Sequence, residues 1–140
     1  MPVISNTSNN GTQSWIVTGP ATTQARIKVV SVSNPAVFDT SDANFNIVQS
    51  ITLTSPNGGE SWKIGSTKAI TWDSTGVLSV KIELSRDSGA TWSTIVSMAQ
   101  SDGQQTWKVT GPASTHAKIR ITALLGSVFD ISDADFSIVR

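Results

Sequence analysis

The second half of this chain repeats part of its first half, and this repetition limits the folds that the chain can adopt. Three blocks recur in the same order: residues 15–21 (WIVTGPA) as 107–113 (WKVTGPA), residues 25–29 (ARIKV) as 117–121 (AKIRI), and residues 37–45 (VFDTSDANF) as 128–136 (VFDISDADF). The offset is 92 residues, falling to 91 after a one-residue difference in loop length near Pro35. Three ordered blocks at one spacing indicate two copies of one structural unit.

The two copies are unequal. The segment from about residue 50 to residue 95 has no counterpart upstream. Residues 50–140 therefore form a complete repeat, whereas residues 1–49 hold only the second half of one. The boundary between Gln49 and Ser50 leaves almost no linker, so successive repeats are expected to be joined strand to strand.

The complete repeat has the apolar periodicity of β-strands. At residues 80–85 and 117–122, apolar and polar residues alternate, so that each strand has one buried face. Further strands are predicted at residues 51–54, 67–73, 91–97, 105–110 and 134–139. About seven short strands separated by Gly, Pro and Asn turns predict an all-β, immunoglobulin- or fibronectin III-like sandwich. The half repeat, residues 1–49, is predicted to form about three further strands N-terminal to this sandwich.

The composition argues against nucleic-acid and membrane partners. Ten basic and ten acidic residues cancel, so no net field draws the chain to nucleic acid or to an anionic membrane. No apolar run approaches the ~20 residues of a membrane span. The chain has no cysteine, which excludes disulfides and Cys-based metal sites or nucleophiles. Its 38 Ser and Thr residues give a hydroxyl-rich surface that is common in extracellular β-proteins. We expect an extracellular or cell-surface location, although this chain carries no signal peptide.

Several motifs together resemble a known repeat. They are residues 51–62 (ITLTSPNGGESW), residues 70–72 (ITW), the Trp-x-Val-Thr-Gly-Pro block and the Asp-x-Ser-Asp-x-x-Phe ending. The complete repeat resembles one found in secreted and surface proteins of bacteria and archaea. That repeat is grouped with the serine/threonine-rich, GPI-anchored cell-wall family of yeast β-glucan assembly. The resemblance implies a fibronectin-like surface or linker module, with no agreed ligand and no catalytic residues.

A second resemblance is local. Five residues match the consensus of the Asp-box hairpin: Ser85, Asp87, Gly89, Thr91 and Trp92. The resemblance implies a turn whose carboxylate accepts backbone amides, whose Gly has positive φ, and whose Trp packs beneath. Propellers that use this hairpin have several copies and this chain has one. We interpret it as a structural element rather than a sign of glycosidase activity.

The residues do not suggest an enzyme. His116 is the only histidine, and its equivalent in the half repeat is Gln24, so a catalytic base would be absent from one copy. The carboxylates considered for glycoside hydrolysis are Glu60, Asp73, Glu83 and Asp87. The pattern places no two of them across a cleft. A hydrolase is therefore the least favoured hypothesis.

An acidic cluster near the C-terminus has two interpretations. Asp130, Asp133 and Asp135 place oxygen ligands at the short spacing that could hold calcium. The half repeat has Asp39, Asp42 and Asn44 at the same positions. Alternatively, these side chains satisfy turn amides at the entry to the last strand. Calcium is the only cofactor that the sequence suggests.

The five tryptophans raise the alternative of carbohydrate binding. Trp72 is expected in the core, Trp92 in the hairpin, and the equivalent Trp15 and Trp107 on buried faces. Trp62 follows a Gly-Gly turn and is the best candidate for an exposed ligand platform. A carbohydrate-binding accessory module of a secreted enzyme, with polysaccharide as its partner, is therefore the alternative function.

The half repeat must find cover or be disordered: it is a truncated piece of a longer tandem array, packs on the complete repeat, or competes with residues 96–140 for residues 50–95. Its strands would expose apolar residues that a full sandwich buries: Trp15, Val17, Ile27, Val29, Phe45 and Ile47. At ~25 cal/mol per Å² the loss amounts to several kcal/mol, comparable with the stability of a domain. The leading hypothesis is a non-catalytic structural or adhesive module that associates with other copies of itself or with neighbouring repeats through residues 1–49.

Overall fold

The computed structural model describes residues 2–140 and contains thirteen β-strands. They are β1 Thr22–Ala25, β2 Lys28–Val30, β3 Phe38–Thr40, β4 Phe45–Ile47, β5 Ser50–Ser55, β6 Ser61–Lys63, β7 Thr67–Thr75, β8 Ser79–Ser85, β9 Ser93–Gln100, β10 Gln104–Lys108, β11 Ser114–Ala123, β12 Phe129–Ile131 and β13 Phe136–Val139. Among these described residues, no helix is long and apolar enough to span a bilayer. The all-β prediction is confirmed.

The complete repeat has two sheets. One sheet has the order β10-β7-β5. The other has the order β6-β13-β11-β8-β9, and β12 pairs with β11 at one end. All neighbours are antiparallel except β6, which lies parallel to β13.

The two sheets enclose one apolar core. Alternate residues of each strand point into it, as the period of two predicts. Its buried members include Leu53, Ile70 and Trp72 from the smaller sheet and Val80, Ile82, Leu84, Ala117, Ile119, Ile121, Phe136 and Ile138 from the larger sheet. This packing makes residues 50–140 a β-sandwich.

All seven predicted strands of the complete repeat are present, and two more occur. The additional strands, β6 and β12, have only three residues each. Such short strands give too few alternations for a period of two to be recognised. Both pair with the longer strands β13 and β11, which determine their positions.

The half repeat has the strand pairing of the second half of the complete repeat. β1 pairs with β4 through Thr22–Ile47 and Ala25–Phe45, with an irregularity between the two pairs. The equivalent β11 and β13 pair at the equivalent residues with an irregularity at the same place. β2 and β3 likewise reproduce the register of β11 and β12. The repeated sequence therefore specifies the same local structure without the first half of the repeat.

The half repeat differs from the prediction in the number and position of its strands. It has four short strands, and the expected strand at Trp15 is absent. In the complete repeat, the equivalent strand β10 pairs with β7, which has no counterpart in residues 1–49. The two strands β1 and β2 together are equivalent to the single long strand β11. In the complete repeat, β8 pairs with residues 118–123 of β11, and the half repeat has no strand equivalent to β8.

Gln49 joins the half repeat to the complete one. Its side-chain Nε2 donates to the carbonyl oxygens of Gly76 at 2.9 Å and Leu125 at 3.0 Å. A Cβ atom at Gly126, where φ is +108°, would lie 2.1 Å from the Gln49 Oε1, and one at Gly19 would lie 2.1 Å from its Nε2. The glycines on both sides therefore make room for this side chain, and β5 begins at the next residue.

We predict that Gln49→Ala loosens the joint, because it removes both hydrogen bonds and leaves the space between the glycines empty. Nitrogen-15 relaxation should give residues 20–48 a shorter correlation time than in the wild-type chain, with the complete repeat unchanged. Gln100→Ala, at an exposed residue of β9, is the matched control. Equal correlation times for the wild type and Gln49→Ala would show that Gln49 does not hold the joint.

Candidate functional site

One continuous stretch, residues 51–64, adds to the β7–β10 and β8–β11 pairings that join the two halves of the complete repeat. We call it the front segment. Its β6 pairs with residues 137–139 of β13. Backbone hydrogen bonds extend this pairing on both sides: Gly59 N donates to Asp135 O at 2.9 Å, and Ile64 N donates to Val139 O at 2.7 Å. The front segment therefore closes the β13 edge of the larger sheet.

Two of the three predicted calcium ligands bind the front segment. The Asp130 Oδ2 accepts the backbone N–H of Leu53 at 2.7 Å. The Asp133 Oδ2 accepts the side-chain Nδ2 of Asn57 at 2.7 Å, and the Asp133 N–H donates to the Asn57 Oδ1 at 2.9 Å. These contacts join residues 76 and 77 positions apart, so the acidic motif secures the front segment.

Ser132 lies between these two aspartates and is buried. Its hydroxyl donates to the carbonyl of Pro56 at 2.8 Å and accepts the backbone N–H of Ile119 at 2.9 Å. The equivalent Ser41 of the half repeat accepts the N–H of Ile27 at 3.0 Å. The half repeat thus has this serine in place, but has no segment equivalent to the one that contains Pro56.

The third predicted ligand, Asp135, has different partners. Its Oδ2 accepts the Ser88 hydroxyl at 2.6 Å and lies 3.2 Å from the His116 Nδ1. The Ser88 hydrogen bond is the main cause that holds the pKa of Asp135 below its ordinary value. Within residues 2–140, no group of three His, Cys, Asp or Glu side chains is placed to hold a metal ion. Asp130 and Asp133 thus bind a distant segment, rather than the turn amides at the entry to β13 that the turn interpretation expected.

The grouping of Ser88, His116 and Asp135 was not visible in the sequence. Asp135 is bonded to both other residues. Activation of a serine requires the imidazole to lie between hydroxyl and carboxylate, so that the imidazole can accept the hydroxyl proton. Here the Ser88 hydroxyl donates its hydrogen bond directly to the Asp135 carboxylate, so the imidazole does not accept its proton. The arrangement links the β8–β9 turn to the start of β13.

The turn between β8 and β9 is held by the predicted Asp-box residues. The buried Ser85 hydroxyl accepts the N–H of Gly89 at 2.8 Å and donates to the Asp87 Oδ1 at 2.6 Å. The same Asp87 oxygen accepts the Thr91 N–H at 2.8 Å. Hydrogen bonds from the Ser85 hydroxyl and from Thr91 lower the pKa of Asp87 to about 2. Gly89 has a φ of +97°, and a Cβ there would touch the Trp92 ring.

The remaining carboxylates considered for hydrolysis, Glu60 and Glu83, are bound to different partners. Glu60 accepts the backbone N–H groups of Asn57 at 2.7 Å and Gly58 at 2.8 Å, and so closes its own turn. Glu83 is paired with Lys81 at 2.6 Å and Arg120 at 2.7 Å. Burial raises the pKa of Glu83, but hydrogen bonds from these two cations outweigh burial and lower it.

Asp73 and Trp92 complete the set of predicted residues. Asp73 is exposed on β7. The Arg120 guanidinium lies over the Trp92 ring at 4.4 Å, and this cation–π contact covers one face of the indole. The Arg120 side chain therefore joins Trp92 to the ion pair on the outer face of the larger sheet.

The prediction that Trp62 is exposed is wrong. Trp62 is 6% exposed, and its ring centroid lies 5.3 Å from that of Phe136 and 6.1 Å from that of Trp107. The Gly-Gly turn suggested exposure, but the parallel pairing of β6 with β13 directs this side chain into the core. Trp72 and Trp107 are buried as predicted, whereas Trp15 is only half-buried.

The half repeat leaves open the surface that the first half of a repeat would cover. Val29 is 70% exposed, whereas the equivalent Ile121 is 0% exposed. A cleft of about 510 Å³ is lined by residues 21–24 and 46–49. The latter are equivalent to the β13 residues that β6 covers in the complete repeat. The cleft therefore lies along the β1–β4 pair of the half repeat.

The side chains that bind the front segment also occur in the half repeat, where Asp39, Ser41 and Asp42 are equivalent to Asp130, Ser132 and Asp133. Asn44 is equivalent to Asp135. Asn44 accepts the Nε of Arg26 at 2.7 Å. The sequence shows this motif in both copies. It does not show that the motif of the complete repeat contacts the Pro-Asn-Gly-Gly turn.

Comparisons with known proteins add no family assignment. No protein-family model matches the chain, and no curated protein matches it. The resemblance to the cell-wall repeat family stays a prediction.

The equivalent aspartates Asp130 and Asp39 allow a controlled test of the hydrogen bond between Asp130 and the Leu53 N–H. We predict that Asp130→Ala lowers the free energy of unfolding by about 1–3 kcal/mol, because the buried N–H of Leu53 loses its acceptor. Asp39→Ala makes the same change at the equivalent exposed position and should alter the unfolding free energy by less than about 0.5 kcal/mol. Chemical denaturation measures both, and similar losses in the two variants would contradict the assigned role.

Proposed function

We propose that this chain is a non-catalytic structural or adhesive module of an extracellular or cell-surface protein. In this proposal, the N-terminal half repeat associates with other copies of the chain or with neighbouring repeats. The complete repeat acts as a rigid support, and the half repeat supplies the association surface.

The observation that carries the proposal is the contrast between two equivalent faces. The half repeat has the strand register of the complete one, yet Val29 and Val17 are 70% and 43% exposed, whereas Ile121 and Val109 are buried. An apolar face of this kind on an ordered scaffold is typical of an interaction surface. Burial of that face supplies the free energy for association.

The non-catalytic part of the proposal is supported by the side chains that would carry chemistry. Glu60 and Asp87 close turns, and Glu83 is held between two cations. The carbohydrate-binding alternative relied on Trp62, whose ring is in the core. These contacts favour a structural function over both alternatives.

The proposed setting depends on composition and resemblance. The chain is rich in Ser and Thr, has no cysteine and has no net charge. We infer a fibronectin-like sandwich of the cell-wall repeat type. The division into sheets of three and six strands, with a parallel edge strand, supports the inference.

We predict that Val29→Lys weakens self-association by about tenfold or more, because it places a charge on the uncovered face. Lysine suits this test because Asp39 lies opposite Val29 in the β2–β3 ladder, so the hairpin itself is not disturbed by charge repulsion. Sedimentation velocity over a range of concentrations measures the association.

Met98→Lys is the matched control. Met98 is also 70% exposed, but lies on β9 of the complete repeat. This variant should associate as the wild type does. Equal behaviour of the two variants, or a wild-type chain that stays monomeric at every concentration, would refute self-association through the half repeat.

A further inference from the structure

We propose that the cleft between β9 and β10 of the complete repeat binds an extended peptide in which apolar side chains alternate with acidic ones. The peptide adds as a strand to the open edge of β10. This surface lies on the complete repeat, so the inference goes beyond the association of the half repeat and does not depend on it.

The cleft lies at the side of the sandwich where both sheets end. Among residues 2–140, β9 pairs only with β8, and β10 pairs only with β7. The cleft between the two strands has a volume of about 340 Å³, which is within the range of ligand-binding clefts. Its apolar lining residues are Leu84, Ile95, Val96 and Trp107. A partner that covers them removes apolar surface from water.

The free edge of β10 presents backbone groups to an added strand. Gly103 O accepts the N–H of Trp72, and the N–H of Val109 donates to Ser66 O, so the odd-numbered residues of this segment face β7. Backbone groups alternate in direction along an antiparallel strand. The backbone groups of Thr106 and Lys108 therefore face away from β7, on the side of the cleft that these residues line. Edge groups of this kind pair with added strands.

β9 is the less suitable of the two edges. Its ladder with β8 is irregular on both sides of the Ile82–Val96 pair. Bulges of this kind twist an edge strand and interrupt its pairing. β10 pairs with β7 without irregularity over residues 104–108, so the regular edge belongs to β10.

The charge of the cleft indicates an acidic partner. Arg86 and Lys108 line the cleft, and no Asp or Glu does. Among residues 2–140, neither cation takes part in an ion pair. Burial lowers the pKa of Arg86, and no carboxylate of the cleft offsets this effect. A carboxylate on the partner would supply the missing opposite charge.

The Arg86 guanidinium is held in place before any partner binds. Its Nη2 donates to the carbonyl oxygens of Thr110 at 2.8 Å and Gly111 at 2.9 Å, and its Nε donates to the Pro112 carbonyl at 3.1 Å. Its Nη1 has no acceptor among residues 2–140. A cation fixed in this way loses little further side-chain entropy when it binds a carboxylate.

These features together match a peptide strand rather than a simple anion. The N–H and C=O of Lys108 require both an acceptor and a donor, and a peptide backbone supplies both. Alternate side chains of a strand point in opposite directions. One set can therefore contact the apolar lining residues, and the other can present carboxylates to Arg86 and Lys108.

The test uses the full-length chain, labelled with nitrogen-15, and the synthetic peptide Thr-Val-Asp-Val-Thr-Val-Asp-Val-Thr. We expect saturable amide shift changes at residues 93–96 and 106–110. Hydrogen exchange of the Thr106 and Lys108 amides should slow in the complex, because both gain acceptors. The same peptide with Lys in place of Asp should bind at least about tenfold more weakly.

Two variants of the chain test the site itself. Thr106→Pro removes an N–H that faces the cleft and that β7 does not use, and Lys108→Glu reverses an exposed charge. Both should weaken peptide binding about tenfold or more. Lys63→Glu is the matched control, because Lys63 is exposed on β6 at the opposite edge of the larger sheet, and it should bind as the wild type does.

Three results would overturn the proposal. They are the absence of shift changes at about 1 mM peptide, equal binding of the Asp and Lys peptides, and unchanged exchange of the Thr106 and Lys108 amides in the saturated complex. The last result would mean that the cations attract the peptide without strand addition. Lys108→Glu should self-associate in sedimentation as the wild type does, so failure of this inference leaves the proposed function intact.

Discussion

The contact between the two halves of the complete repeat is the constraint on which the rest of this structure depends. Each half of the repeat has strands whose edge groups and apolar faces remain open until the other half is added. Asp130, Ser132 and Asp133 satisfy backbone and side-chain groups of the front segment, while Trp62 fills the space between Phe136 and Trp107. Polar anchors determine the register, and apolar burial supplies the stability.

The half repeat shows which features are specified by local sequence and which require the other half of a repeat. Its strand pairs and the Ser41–Ile27 hydrogen bonds form without a front segment, so they are specified by the repeated sequence itself. Burial of Val29 and pairing of the Trp15 segment are not achieved, since both require strands that residues 1–49 do not contain. Equivalent apolar residues are thus exposed in the half repeat and buried in the complete repeat.

The sequence was sufficient to predict the all-β class and the longer strands, because alternation over six or more residues has a clear period. It was not sufficient for β6, where the Gly-Gly turn suggested an exposed Trp62 and parallel pairing with a distant strand buried it. The spacing of Asp130, Asp133 and Asp135 was compatible with calcium or turn amides. Only the fold shows that Leu53 and Asn57 lie within hydrogen-bonding distance of two of them.

The central claim is that residues 20–48 are already folded in the register of the complete repeat. Cross-strand backbone nuclear Overhauser effects in the full-length chain test this claim most directly. The structure predicts effects that join Ala25 to Phe45 and Lys28 to Thr40, the pairs equivalent to Ala117–Phe136 and Arg120–Ile131. Random-coil shifts across residues 20–48, or cross-strand effects in another register, would contradict it.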